Sequence, residues 1–362
     1  MPRHPLLPTI EALLDPATLS ALAGQPVATV RCTPLTPEFA KSGSRLVRVE
    51  ADPPGGPRFV LKRVAPERDW LMRATADTRC RSVTLWSHGL LDRLPPQIAP
   101  MVLACAHDGA GAAILMHDVG PAMLTNTRYS PRANRLTIEA MAAMHAAFLD
   151  DPALTDPELG LCGLEQVYTM FAPATARREL PAGDELPPLI LEGWERVGEL
   201  IDAGLARALL ALADDPAPLC AALRRFPRTL IHGDWRHANQ GLTEGPGAPP
   251  RVILLDWQLA AVGPPAVELG RYLGANSALL PATKEHVLDD YRRQLGARIG
   301  PRLEEGWWRP QLELALLGGF VQDAWAIALK ATTWRVGADA RDHWRADLAW
   351  WSARAREGLG HL

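Results

Sequence analysis

The stretch LIHGDWRHANQGL, residues 230–242, places His232, Asp234 and Asn239 close together behind an apolar pair and a glycine. A further acid, Asp256, closes the apolar run VILLD at 252–256. A strand that ends in an acid at a turn presents that carboxylate in a cleft. Asn239 follows Asp234 at a distance that lets a tight loop fold back beside it. If the apolar runs at 240–243 and 251–255 pair as a hairpin around GLTEGPGAPPRV, Asn239 and Asp256 converge. One carboxylate and one amide oxygen form a hard-oxygen pair suited to Mg²⁺, which takes few protein ligands. Asp234 is then left to accept a proton from a hydroxyl nucleophile. A metal set against phosphate charge and a carboxylate that positions the attacking oxygen are the parts that phosphoryl transfer needs.

The octamer HGDWRHAN (232–239) resembles the HGDxxxxN catalytic loop of the aminoglycoside phosphotransferase and choline-kinase-like families, relatives of the protein kinases. LLDWQLAAVGPPAVELGRYL (254–273) is similar to their metal-binding Asp-Trp/Phe segment and the Gly-Pro helix start after it. The resemblance spans roughly 25–350, and its specificity lies in 230–273. It implies an α+β, bilobal, protein-kinase-like fold. A small N-terminal lobe built on an antiparallel sheet would sit on a larger, mainly helical C-terminal lobe. It further implies an ATP- and Mg²⁺-dependent transfer to a hydroxyl of a small molecule, with Asp234 as base and Asn239 and Asp256 as metal ligands. His232 and Glu268 take structural roles by the same resemblance, Glu268 standing where the family has Asp. Arg236 and His237, inside the loop, face a phosphate, the acceptor or solvent.

The rest of the chain divides into an N-terminal nucleotide-binding lobe (1–116), a hinge (117–121) and a catalytic and acceptor-binding lobe (122–362). RLVRVEA (45–51) and RFVLKRV (58–64) read as strands joined by DPPGG turn chemistry. MVLACAHDGAGAAILMHDVG (101–120) reads as a hairpin, and Trp70–Leu91 contains a helix. The resemblance makes Lys62 the strand lysine that contacts the α- and β-phosphates. Arg63 is its competitor, because adjacent strand residues face opposite ways. The glutamate expected to pair with that lysine is missing: Ser82 stands at its position, and Asp77 and Glu67 lie elsewhere. Ser42, Gly43 and Ser44 either cover phosphates with backbone amides or form an ordinary hairpin turn. Met116 and Asp118 fall where relatives meet the adenine edge with backbone groups.

Beyond Gly120 the pattern is helical: 136–150, 188–225 and most of the chain after Pro265, with a long helix at 311–335. The last 60 or so residues are rich in Trp and acids; the resemblance implies that this helical region forms the acceptor pocket, where acids suit an amine and aromatics a ring, such as an aminoglycoside, an amino alcohol or a sugar. Asp323, Trp325 and Trp334 are the candidates; helix packing with solvated charges is the competing reading.

Composition sets the bounds. The chain of 362 residues is long enough for two lobes, and 48% hydrophobic with 22% charged residues is ordinary for a globular protein. A net charge of −3 and a pI near 6.4, without a basic tail, give no reason to expect nucleic acid or an anionic membrane as partner. Five scattered cysteines never form CxxC, which fits reduced thiols in a cytoplasmic protein, as monomer or homodimer. The N-terminus is a poor signal peptide, and no uncharged apolar run of about 18 residues appears, so no membrane span is expected. The intact Asp234, Asn239 and Asp256 favour an enzyme. A catalytically inactive nucleotide-binding pseudokinase is the alternative, supported by Ser82, and a metal-dependent hydrolase built on His232, Asp234, His237 and Asp256 is the third reading.

Overall fold

The computed structural model describes residues 2–35, 42–243, 247, 249–334 and 338–362, and the side chains of Glu305, Ala338 and Asp339 are also outside the description. Two short helices, α1 (Ile10–Leu13) and α2 (Pro16–Ala23), open the chain. They precede an antiparallel five-stranded sheet of β1 (Val30–Leu35), β2 (Arg45–Ala51), β3 (Arg58–Val64), β5 (Val102–Asp108) and β6 (Gly111–His117), in the order β1-β2-β3-β6-β5. Alternation along β3 divides its side chains between two cores. Phe59 and Leu61 join Leu13, Leu19, Val49 and Leu115 in a small core beneath the first two helices. Val64 joins Ile114 in the main core on the opposite face.

Between β3 and β5 run α3 (Trp70–Ala74), α4 (Arg81–Ser87) and the two-residue β4 (Ile98–Ala99). β4 does not join the large sheet. It pairs in parallel with β9 (Val252–Leu254), which pairs antiparallel with β8 (Gln240–Leu242). The hairpin expected from the sequence is therefore present, with Gln240 opposite Leu254, and part of its connection (244–246 and 248) lies outside the described residues. A separate antiparallel pair joins β7 (Thr229–Ile231) to β10 (Ala261–Gly263).

The larger lobe is helical. It contains α5 (Pro131–Ala147), α6 (Leu164–Thr169), α7 (Pro173–Glu179), α8 (Leu186–Leu200), α9 (Ala203–Asp214), α10 (Ala217–Leu223), α11 (Ala266–Asn276), α12 (Lys284–Ile299), α13 (Glu305–Ala331) and α14 (Ala338–Leu359). The long helix expected at 311–335 begins earlier and ends at Ala331. Its stretch Gly306–Ala331 is long and apolar enough to cross a membrane, with a mean hydropathy of 1.4 in its apolar window, but 89% of that window is buried inside this protein. It is the central helix of the lobe, packed by α8, α11 and α14. The two lobes carry the bilobal kinase-like architecture that the motifs implied.

Candidate active site

The loop after β7 is fixed by its backbone. Glu268, in the first turn of α11, accepts from the amides of His232 at 2.6 Å and Gly233 at 3.0 Å. Gly233 has φ +82°, and a Cβ there would lie 2.4 Å from the Leu259 carbonyl oxygen, so only glycine fits. His232 is spent within the loop: Nε2 is 2.9 Å from the Leu255 carbonyl, and Nδ1 accepts from the Asp234 amide at 3.2 Å. That pattern assigns the neutral tautomer protonated on Nε2 and leaves neither ring nitrogen for a metal. Asn276 closes the far side of the loop, with Oδ1 accepting from the His237 amide at 2.9 Å and Nδ2 donating to the Trp235 carbonyl at 2.9 Å.

Asp234 is buried, and both of its carboxylate oxygens are engaged. Oδ1 accepts from Arg271 Nη2 at 2.8 Å and Nε at 3.2 Å. Oδ2 accepts from Asn239 Nδ2 at 2.8 Å and Arg236 Nε at 3.0 Å. Burial alone would raise its pKa, but the Arg236 and Arg271 guanidiniums outweigh burial and hold the carboxyl well below the usual carboxylate range. Arg271 also pairs with Asp323 of α13 and is held charged between the two acids. Seven residues further along α13, Lys330 places Nζ 4.0 Å above the Trp344 ring. Burial lowers Lys330 to about 8, with Asp323 opposing and Arg271 assisting. Burial, then Arg236 and Lys330, lower His237 to about 4.

On the nucleotide side, Lys62 points inward and Arg63 outward, as the alternation allows. Arg63 pairs with Asp108 at 2.7 Å on the face that carries α1 and α2. Lys62 Nζ lies 2.8 Å from Asp256 Oδ1. Asp256 follows β9 with φ +64°. That oxygen is buried and, despite the ion pair, receives no well-directed hydrogen bond. Because Asn239 commits its amide nitrogen to Asp234, its amide oxygen makes no hydrogen bond among the described residues. The Leu255 amide donates to Asn239 O at 2.8 Å, which brings the two residues to the same end of the hairpin, and a carboxylate oxygen short of donors with an uncommitted amide oxygen are donor types that fit Mg²⁺. A transition-metal centre is not assembled: among the described residues no three His, Cys, Asp or Glu side chains are grouped to hold an ion.

A cleft opens beside this pair, lined by Lys62, Ser82, Ile114, Met116, Leu255 and Asp256 among others. Ser82 thus faces the lysine where a glutamate was expected. Neither named substitute takes that place. Asp77 accepts from the Arg81 amide at 2.9 Å, and Glu67 is exposed. The second acid near Lys62 is Asp69, which the sequence reading missed. Its Oδ1 caps α3 at the amides of Leu71 and Met72, while Oδ2 is buried without a partner. Burial raises Asp69 to about 6 against the pull of Lys62. Its only signal in the sequence is that of a helix cap before an apolar run.

The other candidates are dispersed. Ser42 to Ser44 lie against the start of α3, where Ser42 O accepts from the Trp70 amide at 3.1 Å; positions 37–41 of that loop are outside the described residues. Met116 lines the cleft, whereas the Asp118 amide donates to Arg58 O at 3.1 Å, leaving its carbonyl as the backbone group it can offer. Asp323 reaches the site but is committed to Arg271. Trp325 is core, 5.5 Å from Phe171 and 6.2 Å from the half-buried Trp334. Arg271 and Lys330, missed in the sequence, complete the acceptor side.

Fold and site together define a kinase-like phosphotransferase, with Lys62 and Asp256 paired in a cleft next to a tightly fixed loop. The model of the phosphotransferase enzyme family matches residues 38–310, and the chain belongs to that family. It is a small-molecule kinase with a hydroxyl acceptor. No curated protein sequence matches it. Among solved structures it is similar to an ethanolamine kinase of Plasmodium vivax, at 10% identity and a TM-score of 0.52 over 90% of this chain and 84% of that one. A choline kinase of Cryptosporidium parvum Iowa II gives 10% identity and a TM-score of 0.50 over 92% and 91%. At these identities the likeness is one of fold.

Proposed function

We propose that the protein transfers the γ-phosphoryl group of ATP, with Mg²⁺, to a hydroxyl of a small metabolite or antibiotic. One observation carries the reading: Lys62 and Asp256 pair in the cleft, and the loop that holds Asp234 and Asn239 is bonded to the residue before Asp256, with the Leu255 amide donating to Asn239 O at 2.8 Å and His232 Nε2 lying 2.9 Å from Leu255 O. Lys62 orients the phosphates. The backbone around Met116 and Asp118 would border the adenine. Asn239 and Asp256 would hold Mg²⁺, whose charge offsets that developing on the transferred group. Asp234 aims the acceptor hydroxyl and takes its proton late. A carboxylate so depressed is a weak base, and a loose phosphoryl-transfer transition state asks for positioning more than basicity.

The test is a panel of alcohols with ATP and Mg²⁺, read by ADP release and product mass, with Asp234→Asn as control. The expected result is a phosphorylated product with at least one alcohol. In Asp234→Asn, kcat should fall by about 10³ or more, with nucleotide affinity changed by less than about threefold. Near-normal turnover in that variant removes Asp234 from its role. Nucleotide-dependent stabilisation with no transfer to any acceptor would leave a nucleotide-binding protein without catalysis.

A further inference from the structure

We propose that the acceptor of this kinase is an anionic alcohol, one that carries a carboxylate beside its reacting hydroxyl, rather than an amine. The inference rests on the kinase reading and names the substrate class of the same site. Three cations surround the acceptor side of Asp234: Arg236, Arg271 and Lys330. Two acids oppose them: Asp234 is engaged on both oxygens, and Asp323 gives Oδ1 to Arg271 while its Oδ2 is buried against Gly274 of α11. The next acid outward, Asp347, is paired with Lys284. An ammonium group entering here meets none of these three acids exposed, since Asp234, Asp323 and Asp347 are all buried.

The cations are not equally consumed. Arg271 is saturated. Arg236 spends only Nε on Asp234, its side chain is one-third exposed, and its outer nitrogens make no hydrogen bond among the described residues. Lys330 makes no ion pair within 4.0 Å among the described residues and rests on the Trp344 ring. A partly exposed guanidinium fork and an ammonium on an aromatic face match a planar carboxylate.

The test titrates succinate and, separately, tetramethylammonium into the full-length protein saturated with Mg²⁺ and a non-hydrolysable ATP analogue, by calorimetry. Succinate is expected to bind and tetramethylammonium not. Affinity for succinate should fall at least tenfold in Arg236→Gln and in Lys330→Gln, and return in Lys330→Arg, which keeps the charge. In turnover, hydroxy acids should outperform amino alcohols and neutral polyols. Binding of tetramethylammonium but not succinate, absence of binding by either ion, succinate binding indifferent to both substitutions, or preferential phosphorylation of an amino alcohol would each overturn the inference. Charge-dependent succinate binding without transfer to any alcohol would support the anion site and count against the kinase reading instead.

Discussion

Asp234 is held on both oxygens before any acceptor arrives. Its ion pairs with Arg236 and Arg271 depress its pKa, so their stabilisation is fully present above the ordinary carboxylate value of about 4 and fades only as pH falls below it. Arg271→Gln should leave Asp234 and Asp323 buried without their shared cation, at a cost of about 3–5 kcal/mol by chemical denaturation. The same variant should introduce an acidic limb into the pH profile of kcat, absent from the native enzyme, as the carboxyl pKa rises. Lys330 shifts the opposite balance. Its folded pKa, about 8, lies below the usual lysine value, so burial of the charged form costs stability below pH 8. That cost is relieved as pH rises from about 8 toward about 10.4. Unfolding free energy at pH 7.5 and 9.5 should therefore increase with pH more in the native protein than in Lys330→Met. The groups facing Lys330 are Asp323, Arg271, Asp347 and Arg236.

At the scale of elements, the acceptor side depends on how closely α11 and α13 cross. Gly270 and Gly319 meet backbone to backbone, and a Cβ on Gly319 would lie 2.6 Å from Gly270 Cα. No flexible side chain stands there to yield. Gly319→Ala is expected to push the helices apart and destabilise the protein by about 1–3 kcal/mol. Because Arg271 rides on α11 and Asp323 on α13, kcat should fall with it, more than nucleotide affinity does. A melting temperature and a kcat both unchanged would show that the crossing tolerates the methyl group. The small lobe has a comparable device in α4. Arg81 is buried and donates to the Gly160 carbonyl at 2.6 Å and to the Gln258 carbonyl, two residues past Asp256. Arg81→Met should strand those carbonyls and weaken nucleotide binding several-fold, as seen by titration of a fluorescent ATP analogue.

Across the whole molecule, salt links tie the sheet-bearing N-terminal part to the helical part. Arg73 of α3 reaches Glu179 at 2.8 Å and Asp184 at 2.9 Å in the helical lobe. These links and Arg81 set how the strand bearing Lys62 sits over Asp256. Arg73→Ala should raise the KM for ATP a few-fold while changing stability by about 1 kcal/mol or less, since part of the pair is solvated. An unchanged KM would place lobe alignment in the cleft alone. The first two helices cover the outer face of the sheet, burying Leu13 and Leu19 against Phe59 and Leu61, a cap that the N-terminal sequence did not suggest.

What the chain's own order of residues determined is local. HGDWRHAN followed by VILLD encodes a strand, a glycine-dependent turn and a returning hairpin, so Asp234, Asn239 and Asp256 were legible because neighbours in sequence are neighbours in that loop. Strand alternation left Lys62 and Arg63 as competitors and the resemblance chose Lys62, while the sheet was legible from its turn chemistry. Tertiary structure alone decided the partners. Arg271 and Lys330 look like ordinary helix residues until α11 and α13 cross. Asp69 reads as a helix cap until α3 packs beside Lys62, and Asp323 reads as a free acid until Arg271 claims it. The physical reason is that a residue type sets which charge is available, whereas burial and the geometry of distant elements set which charges neutralise one another.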